Sequence, residues 1–393
     1  MNQMTAAAAK QQARMTIGNA GDGLIALSRM IHDHPELGFE EEMASTWCAE
    51  ALSDGGYTVQ RGICDLPTAF AASVGTGPLT VAICAEYDAL PEIGHACGHN
   101  VIASCAVGAA LALAPLADDL GLTVRVLGTP AEEGGGGKIL MMERGGFDDV
   151  NAALMVHPAP TERDRMPCLA VSHFDVRYTG KEAHASGYPE RGINAADAIT
   201  IAQVAIGLLR QHSGPLDQVH GIVTYGGAAP NIVPASAMAA FYVRAETLEA
   251  LRAWEPRVLR CFEAGALATG ASLDVVPQCP PYSEFVTDEP MAALYRSNAE
   301  AIGRVFAPDS ENAMKASTDM GNVSLAIPSI HPMLGIDSLP AVNHQAAFAA
   351  AAVSPAADRA VLEGALAMAW TTVDLAHDET SRRRLGATAY RHA

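Results

Sequence analysis

Short apolar runs alternate with longer helical segments over the first part of the chain. The runs Leu79–Ala85, Leu122–Gly128 and 152–156 are apolar and are bounded by polar or turn-forming residues, which is typical of buried strands. Residues 22–54, with an interruption at 34–39, and the Ala-rich segment 100–117 are predicted to be helical. Because strands and helices alternate, the sequence predicts an α/β domain with a mostly parallel sheet flanked by helices.

The middle of the chain has a different pattern. Predicted strands and helices follow one another there in the order βαββαβ, at residues 169–179, 194–211, 219–225, 235–245, Leu248–Thr269 and 272–276. This order is that of a split, ferredoxin-like α+β unit. Pro167 precedes the segment and Cys-Pro-Pro at 279–281 follows it, and such breakers suit crossings between domains. We therefore expect a discontinuous first domain at 1–167 and 282–393 and an inserted domain at 168–281.

Composition narrows the class of protein. The net charge of -19 argues against a nucleic-acid surface, which needs clustered Lys and Arg. Charged residues make up 18% of the chain, below the usual quarter, so much of it should be buried in core or interface. The eight Cys lack regular spacing, as in reduced intracellular proteins. With no apolar leader and no run of the ~18 apolar residues that a membrane span needs, we expect a cytoplasmic protein without nucleic-acid or membrane partners.

Two motifs carry candidate chemistry. Cys97 and His99 lie in His-Ala-Cys-Gly-His-Asn, and Glu132 and Glu133 lie in Thr-Pro-Ala-Glu-Glu. A thiolate, an imidazole and a carboxylate can together hold a divalent transition metal. The second carboxylate could take a proton from a water held by that metal. Both motifs follow predicted strands, where open α/β sheets place their sites, so the pattern predicts metal-assisted hydrolysis.

Each candidate residue also has a purely structural interpretation. Cys97 alone could be a small core residue, and the pair Glu132–Glu133 could be solvated. His157, directly after the predicted strand 152–156, could be a core or capping residue. However, four Gly follow Glu133, which favours close backbone approach over solvation. That Gly run is not a phosphate loop, because the Lys138 that follows lacks the required spacing from a first Gly.

The joint order of motifs resembles metallopeptidase family M20, in the amidohydrolase branch of aminobenzoyl-glutamate hydrolases, auxin-conjugate hydrolases and related dipeptidases. The resemblance extends over nearly the whole chain. It rests on residues 34–37, 88–91, 95–100, 130–133, 180–185, 230–234 and 343–344. Each of these motifs is a weak match alone, and their order makes the resemblance specific.

The resemblance implies a binuclear metal site. Its ligands would be Cys97, His99, Glu133, His157 and His344. Cys97 would bridge two divalent ions, zinc or manganese, and water or substrate would fill the open positions. Glu132 would be the general base, and Asp88 would orient a ligand rather than bind metal. Asp88 could alternatively be a simple turn residue.

The inserted domain would contribute further residues by the same resemblance. His184 would reach the site of a partner subunit in a homodimer and polarise the scissile carbonyl; otherwise it is an exposed loop histidine. Asn231 and Arg244 are candidate anchors for a substrate carboxylate, because arginine grips carboxylates in a bidentate manner. Arg244 ends an apolar strand and could instead cap the sheet.

One departure bears on the substrate. Many relatives carry Asp after Cys-Gly-His, whereas this chain has Asn100, which with residues 86–94 favours the aminobenzoyl-glutamate and dipeptide hydrolases.

We expect a metal-dependent amidohydrolase that cleaves the amide bond of a small substrate, an N-acyl or aminobenzoyl amino acid or a dipeptide. Two alternatives stay open: a catalytically silent metal- or ligand-binding homologue, and a non-peptidase amidohydrolase or deaminase acting on an aryl amine.

Overall fold

The computed structural model describes residues 4–308 and 315–392. Its helices are α1 (Ala6–Asp33), α2 (Glu42–Asp54), α3 (His99–Leu113), α4 (Gly137–Glu143), α5 (Ala195–Leu209), α6 (Leu248–Thr269), α7 (Glu289–Ile302), α8 (Met320–Ala326), α9 (Ala346–Ala351), α10 (Pro355–His377) and α11 (Glu379–Gly386). Its strands are β1 (Thr58–Arg61), β2 (Phe70–Val74), β3 (Leu79–Ala85), β4 (Leu122–Gly128), β5 (Ala152–Leu154), β6 (His157–Ala159), β7 (Ala170–Thr179), β8 (Gln218–Tyr225), β9 (Ser236–Ala245), β10 (Ser272–Pro277), β11 (Ser329–Ile330) and β12 (Met333–Gly335).

The described residues form two compact units. Unit 1 comprises 4–167, 285–308 and 318–392, and unit 2 comprises 168–284 and 315–317. Unit 2 extends past residue 281 because the N–H of Tyr282 donates to the carbonyl of Val171 at 3.0 Å. The short segment 315–317 joins it because the carbonyl of Ala316 accepts the N–H of Leu169 at 2.8 Å.

Unit 1 is built on a six-stranded sheet in the order β1-β2-β4-β3-β5-β11. Strands β4, β3, β5 and β11 are parallel to one another, while β1 and β2 form an antiparallel edge. The prediction of an α/β fold with a mostly parallel sheet is therefore confirmed. Strands β1 and β2 escaped prediction because neither is a continuous apolar run, and β1 is largely exposed.

Helix α3 is at the centre of the unit 1 core. Every residue in it except Leu111 is buried, since it packs against α1, α10 and the sheet. By length and composition His99–Leu116 could span a membrane, contrary to the prediction that no segment is apolar enough. It is 83% buried inside the fold, as expected for a helix that is apolar on all sides and lies in a protein core.

Helix α1 begins well before the predicted start at residue 22. The side chain of Thr5 caps it by accepting the N–H of Ala8 at 3.3 Å. The buried positions Ala9, Ala13 and Ile17 recur every four residues and so form one face against the core. Alanine is only weakly apolar, so this buried face differs little in hydrophobicity from the rest of the helix. The hydrophobic pattern therefore did not reveal the first part of α1.

Unit 2 contains a four-stranded antiparallel sheet in the order β10-β7-β9-β8. Helices α5 and α6 pack on each other and on this sheet. The elements follow one another along the chain as βαββαβ. Strand β8 lies at the edge and is mostly exposed.

Candidate active site

The ends of two parallel strands bring the acidic candidates together in unit 1. Asp88 follows β3 and Glu132 follows β4, and β3 and β4 pair in parallel. Cys97 and His99 flank Gly98, the N-cap of α3, at φ 81°. A side chain at Gly98 would lie 2.5 Å from Pro158, so glycine allows the start of α3 to approach the segment that carries His157.

The five predicted ligands form two overlapping triads. One triad is Cys97, His99 and His157, and the other is Cys97, Glu133 and His344; within each, one donor atom per residue lies within 4.8 Å of the others. The Sγ of Cys97 is 3.4 Å from Nε2 of His157, and Nε2 of His344 is 3.5 Å from Oε1 of Glu133. Cys97 belongs to both triads, so its thiolate would be a ligand in either group.

His344 comes from a distant part of the sequence. Its backbone N–H donates to the carbonyl of Ala96 at 2.9 Å, which ties it beside Cys97. The residue has φ 65° and an exposed side chain. The resemblance singled out His344 as a candidate ligand, but only the fold establishes that it lies beside Cys97.

Hydrogen bonds orient two imidazoles toward the centre of these triads. The Nδ1–H of His99 donates to Oδ1 of Asp88 at 3.0 Å, and Nδ1–H of His157 donates to the carbonyl of Pro158 at 2.9 Å. Both histidines therefore direct Nε2 to the triads. Metal-binding histidines are held in this way by an acceptor on the other ring nitrogen.

The donor set fits a metal. Among the described residues, the buried Nε2 of His99 makes no hydrogen bond, and it lies 3.9 Å from Oε1 of Glu133. Buried polar atoms normally have partners, so the Nε2 of His99 points to a missing one. One thiolate, three imidazoles and one carboxylate suit zinc, and the carboxylates nearby also suit manganese.

Burial and like charges set the protonation of the site. Burial, Glu86 and Glu133 raise the pKa of Glu132 well above its usual value. Burial and the neighbouring His99 lower the pKa of His157 to about 4, so its imidazole is neutral, as a ligand requires. Burial and Glu133 raise the pKa of the Cys97 thiol well above its usual value, so its thiolate needs a nearby cation.

Sequence reasoning missed a buried charge cluster beside these residues. Lys138 is fully buried and binds Glu86 and, at 2.8 Å, Oδ1 of Asp319. The Oε2 of Glu86 is 3.6 Å from Nε2 of His99, and Glu86, His99 and Glu132 form a third group of possible donors. Because Lys138 neutralises Glu86, that carboxylate is less available to a metal. The available signal was a lysine followed by four apolar residues, Ile139 to Met142, in helix α4.

The three remaining predicted residues lie in unit 2. Nδ1 of His184 accepts the N–H of Gly187 at 3.0 Å, and the carbonyl of Asn231 accepts the N–H of Ala185 at 3.0 Å. Arg244 is on β9, where its guanidinium donates to Ser317 and, at 3.2 Å, to Nε2 of His220. His184 and Asn231 are thus neighbours through their backbones, while Arg244 belongs to the sheet.

Known proteins similar to this chain include curated hydrolases. The chain is 38% identical over 384 residues to Xaa-Arg dipeptidase of Mus musculus, covering 93% of this chain and 88% of that protein. It is 36% identical over 269 residues to one of the two p-aminobenzoyl-glutamate hydrolase polypeptides of Escherichia coli, covering 63% of this chain and 56% of that protein.

Solved structures share the fold at lower identity. A putative aminohydrolase from methicillin-resistant Staphylococcus aureus is 21% identical with a TM-score of 0.73, covering 93% of this chain and 99% of that one. A dinuclear metal-binding peptidase of the M20 family from Bacillus subtilis is 22% identical with a TM-score of 0.66, covering 91% and 99%. The model of peptidase family M20/M25/M40 matches residues 82–361. This chain therefore belongs to peptidase family M20/M25/M40 and is a hydrolase of C–N bonds.

Proposed function

We propose that this protein hydrolyses the amide bond of a dipeptide or an N-acyl amino acid, with Glu132 as the general base and two divalent metal ions held by unit 1. The observation that carries the proposal is the sharing of Cys97 by two ligand triads, with Glu132 beside them. Bound metals, zinc or manganese, would lower the pKa of a water and polarise the scissile carbonyl. The family membership and the named activities of the relatives support metal-dependent amide hydrolysis.

Glu132 is suited to proton transfer. Its Oε2 lies 3.9 Å from Nε2 of His99, while the adjacent Glu133 belongs to one of the two triads that share Cys97. Glu132 would accept a proton from the attacking water and pass it to the leaving amine. Burial and Glu86 raise its pKa, and the bound cations would lower it towards the ionised form that a base needs.

Unit 2 would bind the carboxylate of the substrate. Arg244 has five N–H donors, and its bonds to Ser317 and His220 leave donors for a carboxylate. We propose that Arg244 and Asn231 anchor the substrate and that His184 polarises the scissile carbonyl. Dipeptides ending in arginine are the first substrates to test, since the Xaa-Arg dipeptidase relative matches nearly the whole chain.

We also propose that unit 2 is a ferredoxin-like dimerisation domain. The edge strand β8 exposes Ile222 at 66%, and α5 exposes Val204 at 61% and Leu208 at 69%. An exposed apolar edge strand readily pairs with another chain, so this surface suits a second copy. In such a homodimer His184 would serve the partner's site. Among the described residues, none of the eight cysteines forms a disulfide, which supports a reducing, cytoplasmic location.

A substrate panel tests the proposal. The protein would be loaded with zinc or with manganese and assayed on Xaa-Arg dipeptides, aminobenzoyl-glutamate, N-acyl amino acids and aryl amines. We expect turnover of at least one dipeptide or acyl amino acid. Protein that holds two metals per chain and cleaves none of these amides would instead be a silent homologue, and turnover of aryl amines alone would indicate a deaminase-type activity.

A further inference from the structure

The residue before the proposed general base has an uncommon backbone conformation. Ala131 has φ 55°, in the left-handed region that non-glycine residues rarely adopt. Such a conformation persists only where the surroundings hold it, and it often occurs at functional sites. Because Glu132 follows directly, the Ala131 peptide sets the direction in which the Glu132 side chain leaves the backbone.

A buried carboxylate holds this peptide. Oε1 of Glu41 accepts the N–H of Ala131 at 2.8 Å, and its Oε2 accepts the hydroxyl of Thr68 at 2.8 Å. Glu41 is fully buried, and no ion pair involves it among residues 4–308 and 315–392. Burying an unpaired carboxylate is costly, so its presence calls for a specific role.

Capping of helix α2 does not explain why the Glu41 carboxylate is buried. Glu41 is the N-cap residue of α2, yet its side chain accepts no hydrogen bond from that helix. Glu36 performs that task, because its carboxylate accepts the N–H groups of Met43 and Ala44, each at 2.9 Å. The Glu41 side chain is therefore directed to Ala131 instead.

The hydrogen bond between Glu41 and the Ala131 N–H has a counterpart on the other side of Glu132. Oδ2 of Asp88 accepts the N–H of Glu133 at 2.9 Å, so carboxylates hold the backbone N–H groups on both sides of Glu132. The packing around Ala131 is tight, since a Cβ added at Gly38 would lie 2.9 Å from the Ala131 side chain. The peptide has little room to relax.

We propose that Glu41 is a positioning residue, which holds the Ala131 peptide in its left-handed conformation and thereby fixes the carboxylate of Glu132 for proton transfer. This inference rests on the proposed role of Glu132 as general base. It assigns Glu41 no contact with substrate or metal.

The charge state of Glu41 offers an independent readout. Burial and the negative charge of Asp88 raise the pKa of Glu41 to about 7. The ionisable groups that face it are Asp88 and Tyr87, and Cys48 on α2 faces Tyr87. Tyr87 and Cys48 have pKa values raised by burial, so Glu41 is the group of this cluster that titrates near neutral pH.

The test compares Glu41→Leu, Glu41→Gln and a matched control, Glu36→Ala. Glu41→Leu removes the acceptor, and we expect kcat to fall at least tenfold with KM and metal content unchanged. Glu41→Gln keeps an oxygen for the Ala131 N–H, so kcat at the optimum should stay within about threefold of wild type, while an inflection near neutral pH disappears from the profile. Glu36→Ala should leave kcat and the profile unchanged.

Thr68→Val covers the case in which Glu41→Leu does not fold. It removes the hydroxyl that holds Oε2 of Glu41, and we expect a smaller loss of kcat with unchanged KM. Wild-type kcat in Glu41→Leu or in Thr68→Val, or an equal loss in Glu36→Ala, would overturn the proposal. Failure of the proposed function is separable, because it would appear as an active Glu132→Gln variant.

Discussion

The carboxylate of Asp88 contacts both candidate triads through His99 and Glu133. Its Oδ1 accepts Nδ1–H of His99 at 3.0 Å, and its Oδ2 accepts the backbone N–H of Glu133 at 2.9 Å. Burial alone would raise the pKa of Asp88, but His99 and the Glu133 N–H hold it below its usual value. Asp88 is therefore an ionised group that orients one ligand and fixes the backbone of another.

Replacement of Asp88 by Asn should weaken metal binding. The amide carries no charge to orient the imidazole of His99, and loss of such a partner typically costs ~10- to 100-fold in metal affinity. Competition with a chromophoric chelator measures this loss, and Asp54→Asn on the exposed end of α2 is the control. Equal affinity in wild type and Asp88→Asn would contradict this orienting role.

Metal affinity should fall as the pH falls. Although burial opposes a charged imidazole, Asp88 and Cys97 raise the pKa of His99 well above its usual value, and burial raises that of Cys97. Both groups hold protons that a metal must displace, so the apparent affinity should drop by about tenfold per pH unit for each proton released. Zinc titrations at pH 6, 7 and 8 measure the slope, and a flat profile would show that these groups do not bind the metal.

Glu41 should make stability depend on pH. Its pKa is raised from 4.5 to about 7, so the native state holds the proton more tightly than the unfolded chain. The contribution to stability is full below pH ~4.5 and is lost as the pH rises through ~7, a change of roughly 3 kcal/mol. Between pH 5 and pH 8, the midpoint of thermal unfolding of Glu41→Gln should rise relative to that of wild type. A constant difference in midpoint would mean that Glu41 does not titrate in this range.

Lys138 should be essential for stability. Lys138→Met leaves Glu86 and Asp319 buried without their cation, which typically costs ~3–5 kcal/mol. Adding Glu86→Gln removes one of the two uncompensated charges and should restore part of the loss. Denaturant unfolding of the single and double variants measures both effects. A double variant no more stable than Lys138→Met would contradict the charge-pairing explanation.

His184 should act on the partner subunit. We expect His184→Ala to reduce kcat without loss of metal, because His184 lies in unit 2 and belongs to neither triad. Mixing it with Glu132→Gln should restore activity, since one site in the mixed dimer then has both residues intact. Absence of restored activity in verified mixed dimers would count against action across subunits.

The sequence predicted elements best where apolar runs are continuous and bounded. The predicted bounds of β3 and β4 coincide with the structure because Gly, Pro and polar residues flank continuous apolar runs, and those of α6 coincide although Pro256 lies inside it. Strands β1 and β2 escaped notice because they are short and only partly apolar. The start of α1 was missed because alanine marks its buried face weakly.

For the site, the motifs identified the residues that the structure gathers into two triads, but not the groups that support them. Glu41 and Lys138 are charged, and charged residues are expected at the surface unless a partner in space compensates them. Their partners, Ala131 and Asp319, are far away in the sequence. Roles such as general base and carboxylate anchor stay predictions, because they depend on chemistry that the fold alone does not report.

The most direct test of the central claim is the turnover of Glu132→Gln loaded with metal. Glutamine preserves the shape of the side chain but cannot accept the proton from water. We expect two metals per chain, as in wild type, and a kcat on the best amide substrate that is lower by ~100-fold or more. Two bound metals together with a kcat within tenfold of wild type would contradict the account.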